Sequence, residues 1–254
     1  MKNKEELIDQ LLDLAFAEDL GDGDHTTLST IPADAQGRSR LIIKEDGILA
    51  GVDVAEKVLH KVDPAIKMNI MIEDGARVKK GDVAFTAEGS VRSLLIAERT
   101  MLNIMQRMSG VATMTRRYQD ELEGLHTRVL DTRKTTPGMR MLEKEAVKIG
   151  GGTNHRIGLF DMILIKDNHI DFAGDIEKAI DRANAYCKEN GKDLKIEVEV
   201  RSLDDIRRVL EHGGVDRIMF DNFTPALTRE AVEMVGGKVE TESSGGITIE
   251  NLRQ

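Results

Sequence analysis

Between Val129 and Ile170 the chain reads VLDTRKTTPGMRMLEKEAVKIGGGTNHRIGLFDMILIKDNHI, setting Arg133, Lys134, His155, Arg156, Lys166 and His169 around two apolar runs of β type. Eight Lys/Arg stand against five Asp/Glu from Arg128 to Ile170, in a chain whose net charge is −9. A cationic island in an acidic protein suits a small polyanionic substrate, whereas a nucleic-acid surface is more often broad and basic overall. Guanidinium forks bind carboxylates bidentately, so Arg133 and Arg156 suit a planar substrate bearing acid groups. Lys134 and Lys166 are point charges suited to phosphates. His155 and His169, in glycine- or amide-rich loops, are candidate proton carriers. Glu199 and Asp221 add two carboxylates that can bind Mg²⁺ with phosphate help, hold ribose hydroxyls, or face a developing cation. Glu197 shares the strand side of Glu199 at a different depth, and Glu199 is preferred because it lies nearer the strand's carboxyl end. The turn SSGGI, 243–247, can present backbone N–H groups to a phosphate.

These groups need a scaffold that brings them to one place. Strand-like runs fall at Arg128–Asp131, Met162–Lys166, Lys195–Val200, Arg217–Asp221 and Lys238–Glu242, with helical patterns near 139–149, 174–190, 203–212 and 225–235. Ser202 with Asp205, and Thr224 before Pro225, are good helix starts. Such alternation predicts parallel strands with right-handed crossovers; pattern alone leaves barrel and open sheet both open. Each strand ends on or just before a functional group: Arg133 and Lys134, Lys166, Glu199, Asp221, and Ser243 to Gly246. In parallel β/α folds ligands bind at the carboxyl ends of the strands, so these groups are expected at one mouth.

The first part of the chain reads differently. Residues 5–20 predict an amphipathic helix stopped by Gly21. GDGDHTT, 21–27, lacks the glycine and glutamate positions of a calcium loop and reads as a capped turn. From Arg38 to Glu88 short apolar runs broken by glycine predict strands. The stretch 73–89 resembles the hairpins of biotinyl and lipoyl carriers, but Lys79 and Lys80 lack a flanking attachment motif. A long helix is predicted over 91–123, with Gly110 marking a bend or tight crossing. The domain boundary is placed there, giving an α/β sandwich domain at 1–110 and a catalytic domain at 111–254.

Hydrophobic content of 40% and charged content of 32% describe a globular chain rather than a disordered one. The single Cys187 forms no internal disulfide, and one cysteine with six histidines offers no zinc-type spacing. The acidic first twenty residues do not read as a leader, no apolar stretch approaches membrane-spanning length, and the expected compartment is the cytoplasm. There is no GxGxxG, GxxxxGK[ST] or HExxH, which removes Rossmann hydride transfer, P-loop phosphoryl transfer and zincin chemistry.

Six segments together resemble the quinolinate phosphoribosyltransferases, the decarboxylating nicotinate-nucleotide pyrophosphorylases of NAD biosynthesis. They are EDLGDGDHTT (18–27), ERTMLNIMQRMSGVATMT (98–115), the stretch from Asp131 to Ile170, IEVEV (196–200), IMFDN (218–222) and SSGGIT (243–248). The resemblance implies a small α/β sandwich followed by a parallel α/β barrel with fewer than eight strands. It implies transfer of the phosphoribosyl group of phosphoribosyl pyrophosphate to quinolinate with Mg²⁺, giving nicotinate mononucleotide, pyrophosphate and CO₂. By the same resemblance Arg133, His155, Arg156 and Lys166 bind quinolinate. Arg99 reaches the partner's site in a homodimer. Lys134, Glu199 and Asp221 engage the phosphoribosyl substrate, with Glu199 and Asp221 toward the metal, and Ser244 and Gly245 form part of the 5′-phosphate cradle. Family members continue past SSGGIT, so the barrel is expected to lack its last strand here, with half of the phosphate cradle. Three other readings stand beside this one: a phosphoribosyltransferase-like protein associated with molybdate transport, a non-catalytic binding or subunit-interaction form of the fold, and a carrier module at 40–90.

Overall fold

A computed structural model describes residues 3–254; Met1 and Lys2, which begin the stretch read as too acidic for a leader, lie outside the described residues. The chain divides into two compact units, one ending at His155 and the other Arg156–Gln254.

In the first unit, helix α1 (Lys4–Leu20) opens with a capping box: Asn3 Oδ1 accepts from Glu6 N–H and Glu6 accepts from Asn3 N–H, both at 2.9 Å. The GDGDHTT turn continues into a short helix, α2 (His25–Thr30), because Asp24 caps it by accepting from Thr27 N–H. Strands β1 (Gln36–Ile42), β3 (Lys67–Ile70) and β5 (Val83–Ser90) form an antiparallel sheet in the order β1-β5-β3, and β2 (Gly47–Ile48) pairs with β4 (Arg77–Val78). Between them lies α3 (Val52–Val62), where the sequence reading had only strands. Helix α4 (Val91–Glu121) passes through Gly110 without interruption, and a Cβ there would meet nothing within 4 Å, so no tight crossing requires that glycine. Helix α5 (Arg140–Ile149) completes the unit. Its glycine stop has a packing reason: a Cβ on Gly150 would lie 2.5 Å from the Ala112 carbonyl on α4. The expected strand at Arg128–Asp131 is reduced to one bridge, Leu130 with Thr153. Its other anchors are side chains, described below.

The second unit alternates β6 (Ile163–Ile165), α6 (Asp167–Ala173), α7 (Ile176–Glu189), β7 (Ile196–Val200), α8 (Leu203–His212), β8 (Arg217–Asp221), α9 (Pro225–Val235) and β9 (Glu240–Ser244). The four strands form one parallel sheet in sequential order. Ser202 caps α8 and Thr224 caps α9 ahead of Pro225, as the sequence predicts. Strand β7 is buried along its whole length, but its two faces differ. Ile196, Val198 and Val200, with Ile218 and Phe220 of β8, join buried helix residues such as Ile180, Ile206 and Ala231 in one apolar core. Alternation places Glu197 and Glu199, Arg217 and Asp221, and Glu242 and Ser244 on the opposite face.

Candidate active site

On that polar face the candidate groups of the second unit lie at the carboxyl ends of the strands. Lys166 follows β6 directly, and its Nζ donates to Glu199 Oε2 at 2.9 Å. The lysine is about half exposed while the Glu199 side chain is only 9% exposed, so the carboxylate sits in the sheet and the ammonium closes over it. Asp221 ends β8, pairing in register with Ser244, which ends β9. Asn222, at φ 56°, turns back so that Nδ2 donates to Asp221 Oδ2 at 2.9 Å and its N–H donates to the Ser244 carbonyl at 2.8 Å. Gly245, at φ 87°, sits against it: a Cβ there would lie 2.2 Å from Asn222 Oδ1. Only glycine fits this turn, which leaves backbone free to approach an anion. Arg156 donates to the Met162 carbonyl at 3.4 Å, just ahead of β6. His169, read as a candidate proton carrier, lies in the first turn of α6. Its Nδ1 accepts from Lys166 N–H at 2.9 Å, which fixes the entry into α6.

In the first unit Arg133, Lys134 and His155 lie on two loops held by α5. Arg140 donates to Thr135 Oγ1 and to the Arg133 carbonyl, at 3.1 and 3.2 Å. Glu143, buried, accepts from Arg107 Nε at 2.8 Å and from Thr136 N–H at 3.2 Å. Burial pushes the Glu143 carboxyl up, but the hydrogen bonds from Thr136 and Arg107 outweigh it and hold its pKa below the usual carboxylate value. The RKTT turn is thus braced from three sides, with Lys134 exposed at its crest. Arg133 keeps a buried Nε that finds no hydrogen-bond partner among the described residues. On the second loop, His155 N–H donates to Asp131 Oδ1 at 2.9 Å, and Asp131 is paired with the buried Lys144. Burial raises the Asp131 pKa against the pull of Lys144. Arg99 lies exposed on α4 and bonds to none of the other predicted residues.

Sequence reasoning missed Asp131, Arg140, Glu143, Lys144 and Asn222. Only Asn222 carried a signal, an amide side chain directly after a strand-ending aspartate, where left-handed backbone is tolerated.

Both halves of the chain match family models: residues 24–109 match the N-terminal domain, and 111–254 the C-terminal domain, of quinolinate phosphoribosyl transferase. Decarboxylating quinolinate phosphoribosyltransferase 1b of Nicotiana tabacum is 42% identical, over 96% of this chain and 73% of its own length. The probable carboxylating nicotinate-nucleotide pyrophosphorylase of Bacillus subtilis is 40% identical, over 96% of this chain and 82% of its own. The crystal structure of NadC from Streptococcus pyogenes superposes with a TM-score of 0.92 at 38% identity, covering 100% of this chain and 88% of that one. With sequence, domain order and fold in agreement across both units, the chain belongs to the quinolinate phosphoribosyltransferase family.

Proposed function

We propose that this chain performs the reaction of its family through the candidate residues described above: phosphoribosyl transfer to quinolinate with loss of CO₂, giving nicotinate mononucleotide and pyrophosphate. What supports the residue roles most is the polar sheet face of the second unit, where Lys166, Glu199, Asp221 and Ser244 share one edge. A carboxylate pair there faces the positive charge that develops at the ribose C1 carbon as pyrophosphate leaves and the pyridine nitrogen attacks. The ring nitrogen becomes cationic. Its positive charge then stabilises the electron pair left on the adjacent ring carbon when CO₂ departs, and that pair forms the new C–H bond by taking up a proton.

Arg133, His155, Arg156 and Lys166 orient the two acid groups of quinolinate. Only contacts stronger in the transition state than in the ground state accelerate the step, so these cations must not grip the departing carboxylate. Lys166 is suited to a double task. A substrate carboxylate that draws its ammonium away from Glu199 also frees Glu199 to face the ribose. Lys134 and the Ser244–Gly245 turn hold phosphate. Glu199 and Asp221 are hard oxygen donors on adjacent strands, which fits a Mg²⁺ ion that keeps most of its waters and phosphate ligands. Such an ion would neutralise the pyrophosphate leaving group. We also place Arg99, exposed on α4, in a partner subunit's site, making the active form a homodimer.

No helix among the described residues is long and apolar enough to cross a membrane. The free Cys187 fits a reducing compartment, in keeping with a cytoplasmic location. The test of the activity is pyrophosphate release with quinolinate, phosphoribosyl pyrophosphate and Mg²⁺, with Lys134→Ala as control. Release that requires quinolinate and falls in the control is the expected result. Release indifferent to quinolinate would overturn it.

A further inference from the structure

We propose that Lys144 and Asp131 form a positioning pair that pins the peptide groups of His155. This rests on the reading of His155 as a quinolinate ligand. Both residues are buried, with side chains 2% and 7% exposed, and they form a direct ion pair. The pair grips both backbone polar groups of one residue: Asp131 Oδ1 accepts from His155 N–H at 2.9 Å, and Lys144 Nζ donates to the His155 carbonyl at 3.3 Å. With its amide oriented so that the nitrogen faces these two acceptors, Asn154 completes the clamp, donating to Asp131 Oδ2 at 2.7 Å and to the Lys144 carbonyl at 2.8 Å. The backbone of Asp131 is itself tied down, donating to the Thr153 carbonyl at 3.2 Å.

A buried ion pair is a poor device for stability, because well-packed apolar residues of similar volume do as well or better. What it supplies is direction. One carboxylate and one ammonium, locked to each other, fix where an N–H and a C=O three bonds apart must point. A loop between the glycines at 150–152 and His155 has no sheet ladder to do this, only the single Leu130–Thr153 bridge.

Single substitutions would strand a buried charge and threaten the fold, so the decisive variant is the apolar pair Asp131→Val with Lys144→Met. Three quantities are measured on the full chain: the thermal midpoint, quinolinate affinity by equilibrium titration, and hydrogen exchange of the His155 amide. The double variant is expected to fold with a midpoint close to the parent's. It should expose the His155 amide to faster exchange and bind quinolinate about tenfold more weakly, the scale of one charge-assisted hydrogen bond lost from a binding group. Adding His155→Ala to it should weaken binding no further than His155→Ala alone. A folded double variant that keeps parental affinity and exchange at residue 155 overturns the proposal, as does a triple variant whose loss multiplies the two separate losses. Should His155→Ala alone leave affinity unchanged, the ligand role assigned to His155 fails, while the exchange measurement still decides whether the pair pins its peptide.

Discussion

Replacing Gly245 by alanine tests the phosphate cradle where its geometry is tightest. An alanine there must hold φ near 87°, a conformation that costs a non-glycine residue about 1–3 kcal/mol. Its Cβ would also lie 2.2 Å from Asn222 Oδ1 and 2.7 Å from Asn222 Cγ, so the Asn222 side chain must move. That movement breaks its hydrogen bond to Asp221 Oδ2, a further loss of about 1 kcal/mol. Together the structure assigns about 2–4 kcal/mol to the change, which is roughly 30- to 900-fold in rate if it falls on the transition state. The assay is pyrophosphate release at saturating quinolinate with phosphoribosyl pyrophosphate varied, beside a direct titration with quinolinate. The expected outcome is a fall of that size in kcat/KM for phosphoribosyl pyrophosphate with quinolinate affinity unchanged. Asn222→Gly combined with Gly245→Ala removes the clash but keeps the strain and also lacks the Asp221 hydrogen bond, and should lose about as much as Gly245→Ala alone. A Gly245→Ala enzyme within about threefold of the parent, at an unchanged thermal midpoint, would refute both the geometry and the cradle.

Glu199→Ala should leave quinolinate affinity within about threefold of the parent and lower kcat by about 100-fold or more, the usual scale for removing one transition-state stabiliser; pre-steady-state turnover with a parallel binding titration checks it. Mixing Arg99→Ala with Glu199→Ala, each inactive, should recover about a quarter of parental activity, because random reassociation of a two-fold dimer makes half the molecules mixed, each with one intact site; no recovery after verified subunit exchange counts against a shared site. Because the folded pKa of Glu143 is depressed, its contribution to stability is present above the unfolded value and is lost as pH falls through the folded one. Glu143→Gln should therefore flatten the acid limb of a stability–pH profile measured by chemical denaturation. The sign is opposite for Asp131, whose raised pKa contributes stability at low pH that is lost as pH climbs through the folded value.

The elements that were legible are those with local causes. Helices α8 and α9 announce themselves through Ser202 and through Thr224–Pro225, and strand β8 runs from Arg217 to Asp221 as read. Helix α3 was missed because Val52, Val54 and Val58 favour strands locally, whereas burial of Val52, Ala55, Val58 and Leu59 follows helical spacing. Its start is fixed from a distance: Asp74 accepts from Val52 N–H at 2.9 Å, across 22 residues of sequence. Helix α6 was missed because its entry is held by a histidine ring rather than by a hydroxyl or carboxylate cap. The same division separates the site residues. Lys166, Glu199, Asp221 and Ser244 could be found because strand ends are visible in a pattern. In RMLEKEAVK, by contrast, nothing distinguishes Glu143 and Lys144, which are buried, from Glu145 and Lys148, which are not.

The polar face of the second unit's sheet shows why such residues accumulate here in spite of their cost. Its lower layer holds Arg217, 18% exposed, donating to Glu240 and Glu242 at 2.7 and 3.2 Å and lying 3.8 Å from the fully buried Glu197. Burial pulls the arginine's pKa down, but these carboxylates more than restore it. Apolar residues in that layer would hold the strands together at least as well. They would also remove the cation beside Glu197, two residues below Glu199 on the same side of β7. Nearer the strand ends, Glu199 accepts instead from Lys166, and Asp221 from Asn222. The strands' stability can then come from the other face, where Ile196, Val198, Val200, Ile218 and Phe220 pack on the helices. Alternation along a β-strand lets five consecutive buried residues of β7 serve both ends, one face for cohesion and one for charge.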